Sequence, residues 1–249
     1  RPPRSTLFPY TNALPISEIE FEEIEATSGI DGDIISQGQD FLKGPGKFIL
    51  IAIAGIAVLI GGYFAYNKFV VAPKDIKSVE ALYKAENYLL DQEDYATAIN
   101  GDATGAKGLE KLAKSGYAGE EIAKYDLGIA YLNNGQYQEA IKVLKDVSFD
   151  DDILGTQALG MIGDAYIELE DPANALKFYT KAYKNRDNIL TTPMYMMKAA
   201  QCNEIQNKLD DASAIYEQLI ADYPFSKEKN NAEKYLALTK QGKSIYTIK

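Results

Sequence analysis

The chain contains no histidine and no tryptophan, and it has a single cysteine among 249 residues. Without histidine, the commonest general base, proton shuttle and metal ligand are missing. Ser–His and Cys–His nucleophile pairs are excluded within the chain; chemistry built on Asp, Glu, Lys or Tyr is not. No constellation of those residues stands out. Glu120 and Glu121 are adjacent on a helical stretch and do not face one another. Asp150, Asp151 and Asp152 lack the ligand spacing of a Ca²⁺ loop and are expected to cap a helix that begins near Ile153. Gly101, Gly105 and Gly108 have neither P-loop nor dinucleotide spacing and are expected in a surface turn. Catalytic, cofactor-binding and metal-ligating residues are therefore expected to be none, and the protein is not expected to be an enzyme. Cys202 cannot form an intrachain disulfide and reads as a small buried hydrophobe. Basic residues are also in short supply. Lys and Arg total 26 against 36 Asp and Glu, for a net charge of −10, which argues against a nucleic-acid partner.

The residues that are present are unevenly distributed. Residues 1–16, RPPRSTLFPYTNALPI, match nothing in the rest of the chain and resemble a translated sequencing adapter, so they are expected to be non-native; the rival reading is a Pro-rich extended tail that docks a partner. On the first reading the true N-terminus, with any targeting signal, would be missing. Residues 17–46 form an acidic, glycine-interrupted stretch, expected to be a flexible arm. Residues 242–249 read as a loose tail.

Between Lys47 and Lys68 runs FILIAIAGIAVLIGGYFAYN, with no charged residue. At about 1.5 Å per residue this run covers roughly 30 Å, the thickness of a bilayer core. Tyr63, Phe64 and Tyr66 cluster at one end, where aromatic rings suit the headgroup boundary. The run is too long and too internal for a secretory signal. A transmembrane helix is expected over 47–68, meeting lipid through residues 48–67 and bounded by Gly44-Pro45-Gly46 before it and Pro73 after it. Ala57, Gly61 and Ala65 place small residues on one face, a weak signal for helix packing in lipid. Lysines flank both ends, so the positive-inside rule leaves the orientation open.

Beyond the membrane run the pattern is helical and repeated. Leu127-Gly128, Tyr131, Ala140 and Leu144 recur in phase as Ile162-Gly163, Tyr166, Ala175 and Tyr179, a period of 35. Ala200, Asn203, Ala212 and Tyr216 form a third, degenerate copy 37 residues on. Gly128 and Gly163 allow close approach of two antiparallel helices, Ala140, Ala175 and Ala212 do the same from the partner helix, and Tyr131 and Tyr166 fill the gap between hairpins. Turns are expected at Asn133-Asn134-Gly135, Asp171-Pro172 and Asn207–Asp210. A lone hairpin cannot bury its apolar face, so the copies are expected to stack.

This skeleton, with Ala182 and Pro224 in place, resembles the tetratricopeptide repeat family. The resemblance implies an all-α fold: a single transmembrane helix followed by a tetratricopeptide-type solenoid of antiparallel helical hairpins over 75–241. Within it, a diverged hairpin is expected at 78–118, repeats at about 121–154, 156–189 and 193–226, and a capping helix at 228–238. SVEALYKAENYLLDQEDYATAI reads as one amphipathic helical region. The whole layout resembles membrane-anchored tetratricopeptide proteins of Bacteroidota-like bacteria and is similar in architecture to the ancillary translocon subunit family. That similarity implies a single-pass protein of the bacterial inner membrane with its repeats in the periplasm.

In the family the first helix of each hairpin lines a groove. Carried over, the groove positions are Tyr125, Ile129, Leu132 and Asn133, then Asp164, Ile167 and Glu168, then Met197, Gln201, Glu204 and Ile205. The resemblance thus implies a scaffold or adaptor that binds a protein or peptide partner, in protein translocation, folding or envelope assembly. The acidic groove residues suit a basic-amphipathic or extended peptide better than an acidic one. The alternative is a structural subunit of a membrane complex that binds no free peptide. The oligomeric state and the partner's identity are not encoded in any motif.

Overall fold

A computed structural model describes residues 39–41, 43, 44, 46–149, 151 and 153–246. The foreign-looking stretch 1–16, most of the acidic arm, Asp150, Asp152 and residues 247–249 lie outside the described residues. The chain divides into two units, the first ending at Phe64 and the second running from Ala65. Among the described residues there is helix and no strand.

Helix α1 spans Gly46–Tyr66. It consists almost entirely of Ile, Ala, Leu, Val, Gly and aromatic residues, and every residue from Lys47 to Tyr66 is exposed. It is long and apolar enough to cross a membrane. Water would not tolerate such a surface on an isolated helix, because each exposed apolar Å² forfeits about 25 cal/mol relative to burial.

The helix does not end with the apolar run, and Pro73 lies inside it. The helical backbone runs on to Asp91, with a π-helical turn at Asn67–Val71 followed by α2 at Ala72–Glu86. A proline inside a helix lacks a donor and crowds the carbonyl four residues back. The wider turn just before Pro73, where Ala72 N–H donates to the Asn67 carbonyl, accommodates the ring.

The second unit then folds as α3 (Tyr95–Asn100), α4 (Leu109–Leu112), α5 (Glu120–Asn133), α6 (Tyr137–Lys145), α7 (Leu154–Glu168), α8 (Pro172–Asn185), α9 (Thr191–Ile205), α10 (Leu209–Asp222) and α11 (Lys229–Thr239). Each helix packs on the next, and the first helices α5, α7 and α9 also touch in sequence. The single amphipathic helix expected over SVEALYKAENYLLDQEDYATAI is instead two. Glu93 takes a left-handed conformation, and the Asp94 side chain accepts the Thr97 N–H to start α3. The glycine insert after α3 is closed by a bridge between Gly101 and Lys107. Asp102 holds it from within, accepting from Tyr88 Oη, Thr104 N and Oγ1, and Ala106 N. These bonds keep the Asp102 carboxyl low, at about 2.

The hairpin turns share one device. Gly135, Glu170 and Asn207 all adopt positive φ at the repeat period. At each, the next residue's N–H reaches five residues back, from Gln136 to Tyr131, Asp171 to Tyr166 and Lys208 to Asn203. Asp171 then caps α8 through the Asn174 N–H, with Pro172 in the first turn. Asp151 likewise accepts from the N–H groups of Ile153 and Leu154 at the start of α7. A glutamate incurs a left-handed penalty that glycine does not. Glu170→Gly is therefore expected to raise stability by about 1 kcal/mol, read as a higher urea midpoint; a lower midpoint would contradict this account of the turn.

The core is a chain of neighbour interfaces. A first cluster runs from Leu82 to Phe178, a second is built on Ala175, Tyr179, Tyr195 and Cys202, and a third on Met196, Tyr216 and Leu219. Leu159 and Tyr166 border the first two clusters, Tyr183 and Ile215 the last two. Small residues set the helix spacing: a Cβ at Gly128 would overlap Leu144, and one at Gly163 would overlap the Tyr179 ring. Ala140, Ala175 and Ala212 on the facing helices are fully buried.

Candidate functional site

The first helices α5, α7 and α9 carry the expected groove residues. On α5, Tyr125, Ile129 and Leu132 are half-buried against the core, so each keeps part of its surface open. Tyr125 is fixed by an edge-to-face contact with Phe149 and by donating its hydroxyl to Gln157 Oε1, 2.9 Å away on α7. Asn133 is exposed and donates to the Ile129 carbonyl, so its amide belongs to the end of the helix.

On α7 and α9, Asp164, Ile167, Gln201 and Ile205 come together around one cavity of about 290 Å³. Ile205 is exposed and the other three are half-buried. Four further residues of this cavity were not among the expected groove positions: Tyr179, Lys198, Cys202 and Tyr246. Asp164 accepts from Tyr179 Oη at 2.5 Å and from Lys198 Nζ at 2.6 Å. Lys198 Nζ also lies over the rings of Tyr179 and Tyr195, which stack on each other with centroids 6.2 Å apart. Burial, and then the Asp164 charge, hold the Tyr179 hydroxyl well above its ordinary value. Burial, reinforced by Asp164, pushes the Cys202 thiol up to about 12, so it is neutral and buried rather than nucleophilic. Lys198 was legible in principle, since it stands 34 residues from Asp164, one repeat away and opposite in sign.

Two expected groove residues turn inward. Met197 is buried in the third core cluster. Glu204 is completely buried; it accepts from Tyr216 Oη at 2.6 Å and from the Ile245 backbone N–H at 3.3 Å. Glu168 is exposed and accepts from Tyr137 Oη at 3.3 Å. The acidic character expected of this face is therefore mostly consumed within the protein. Asp164 is neutralised by Lys198, Glu204 is enclosed, and Glu168 is left as the open carboxylate of the three. The rest of the face is apolar and amide. Among the described residues no group of three or more Cys, Asp or Glu is arranged to hold a metal ion.

The sequence model of one family, described as tetratricopeptide repeat, matches residues 125–188 and again residues 161–227. No curated protein and no solved structure matches the chain. The fold is thus an all-α solenoid with tetratricopeptide repeats, preceded by one long apolar helix. Repeats of this kind form scaffolds for protein–protein interaction, built to present an extended face rather than a reactive centre.

Proposed function

We propose that the chain is a single-pass membrane protein whose first-helix face receives a protein or peptide partner. The observation that carries the reading is that Tyr125, Ile129, Leu132, Ile167 and Ile205, on successive first helices, each keep part of their apolar surface open, with Ile167, Gln201 and Ile205 around one cavity. Such a face suits an extended segment with spaced apolar side chains, whose backbone can use the amides and Glu168. The residues of α1, all exposed from Lys47 to Tyr66, supply the tether through 47–68. The layout, with the repeats over 75–241, is that of an adaptor in translocation, folding or envelope assembly at a bacterial inner membrane, its repeats on the periplasmic side.

The test is photo-cross-linking from Ile129 and Ile167 in cells, combined with Tyr125→Ala plus Glu168→Lys. Saturable adducts that fall at least fivefold in the double variant are expected. Adducts indifferent to those substitutions would sink the reading. Orientation is read by Phe225→Cys in a Cys202→Ser background, because Phe225 is 99% exposed. Labelling of intact spheroplasts by an impermeant thiol reagent is expected; labelling only after lysis would put the repeats on the other side.

A second reading, a structural subunit of a membrane complex, has one specific observation in its favour. Ile76, Val79, Tyr83 and Leu90 are all more than half exposed or at that limit, and they line one side of α2 and its extension. Leu82, Ala85 and Leu89 on the opposite side are buried. A helix apolar on two faces fits one held between partners. Adducts confined to Val79 and Tyr83, with none from Ile129, would select this reading.

A further inference from the structure

The chain's own C-terminal segment lies on the first-helix face. After α11 the backbone turns at Gly242, in the left-handed region, with Gly242 N–H bonded to the Thr239 carbonyl and Lys243 N–H to that of Leu238. This Schellman turn redirects the chain, and Ser244–Tyr246 are not loose as their sequence suggests. Ser244 is fully buried, Ile245 is half-buried and donates its N–H to Glu204, and Tyr246 shares the cavity of Ile167, Lys198 and Ile205. The Tyr246 hydroxyl is raised by burial first and then by the charge of Glu204.

We propose that Ser244–Tyr246 is a built-in occupant of this face, and that a partner's extended segment reaches the α7–α9 end only by displacing it. The segment also shows the chemistry such a partner needs: a backbone N–H presented to Glu204 and an aromatic side chain for the cavity. When the segment leaves, Glu204 keeps the Tyr216 hydroxyl but loses the Ile245 N–H; a buried carboxylate short of a donor is costly, so an entering segment that replaces that N–H is favoured over one that does not. The contact thereby sets both a threshold and a selectivity. The inference rests on the proposed partner-binding role of this face.

The test uses the full chain in detergent micelles and a fluorescein-labelled peptide of sequence KQGKSIY, corresponding to residues 240–246. The variant is Ile245→Pro plus Tyr246→Ala, which removes the donor and the ring; Tyr246→Ala alone is the milder companion should the proline disturb folding. Unchanged helical circular dichroism establishes that each variant is folded. The double variant is expected to bind the peptide at least tenfold more tightly than the parent, and Tyr246→Ala severalfold. In the parent, amide exchange at Ile245 is expected to be slowed at least tenfold relative to an unstructured chain. Equal peptide affinities in parent and variants, or an unprotected Ile245 amide, would overturn the proposal. Failure of the underlying role is separately visible. It would remove cross-links from Ile129 on α5, outside the cavity that Tyr246 enters, whereas failure of the tail proposal alone leaves those cross-links intact.

Discussion

Asp126→Asn is expected to raise the melting temperature of the repeat unit at pH 8 and to leave it nearly unchanged at pH 4. Asp126 lies on α5, about nine-tenths buried, and its Oδ2 has no hydrogen-bond partner. Facing it is Glu86, at the end of α2. Burial, then the charge of Glu86 and a hydrogen bond to it, push the Asp126 carboxyl from the ordinary 3.8 to about 7. The native protein therefore holds a proton that the unfolded chain has released, and stability falls as pH rises from about 4 to about 7 and stays low above that. The gap corresponds to roughly 4 kcal/mol at most, which for a unit of this size is a shift of about 10 °C. An amide keeps the shape without the charge. Thermal melts of the parent and Asp126→Asn across pH 4–8 check this, and an identical pH slope in both would remove Asp126 as its source. Glu86→Gln is expected to flatten the slope as well, since the glutamine amide can donate to Asp126.

The position explains why this joint differs from the others. Asp126 stands two residues before Gly128, as Lys198 stands two before Ala200. Each side chain reaches back toward the preceding first helix. At the later joint Lys198 meets Asp164 and the pair is attractive. At the first joint two carboxyl groups meet, and the contact is comfortable only while one of them is protonated. The same backbone geometry thus fastens one end of the solenoid and makes the other sensitive to pH.

The second large effect concerns two glycines on α7. Gly160→Ala and Gly163→Ala are each expected to destabilise the protein by about 2–3 kcal/mol, near the upper end for an overpacked core. A Cβ at Gly160 would overlap the Tyr195 ring, and one at Gly163 the Tyr179 ring. These rings stack on each other, and both are almost completely buried. Neither can withdraw, because Tyr179 is tied to Asp164 and Lys198 lies across both. The substitutions should therefore also disturb the Asp164–Lys198 pair and weaken cross-linking from Ile167 more than from Ile129. Gly55→Ala in α1, with nothing within 4 Å of the added methyl, serves as the control and is expected to leave the melting temperature unchanged. Wild-type stability in Gly160→Ala would mean that the tyrosine stack is looser than described.

The sequence by itself determined that the described part of the chain is built of helices without strands, that one helix is long and apolar enough for a bilayer, and that Gly128, Gly163 and the recurring alanines mark tetratricopeptide hairpins. These features follow from spacing along one helix and from a repeat period, both of which are local and linear. Gly160 was not singled out because the ring that needs its space, Tyr195, comes from the next hairpin. Pro73 looked like a boundary because its cost is local, while the π-helical turn that absorbs it is visible only in the backbone. Only the tertiary structure decided what became of the charges. Asp164, Glu168 and Glu204 look alike as acidic residues on first helices, yet one pairs with Lys198, one stays open and one is enclosed by Tyr216 and the returning tail. A charge's fate depends on which groups neighbouring hairpins bring within about 3 Å, and that distance is set by packing between elements far apart in the chain. The same holds for Ser244–Tyr246. Nothing in a polar, glycine-containing terminus signals order, and its place on the first-helix face exists only because α11 ends where a Schellman turn can aim it there.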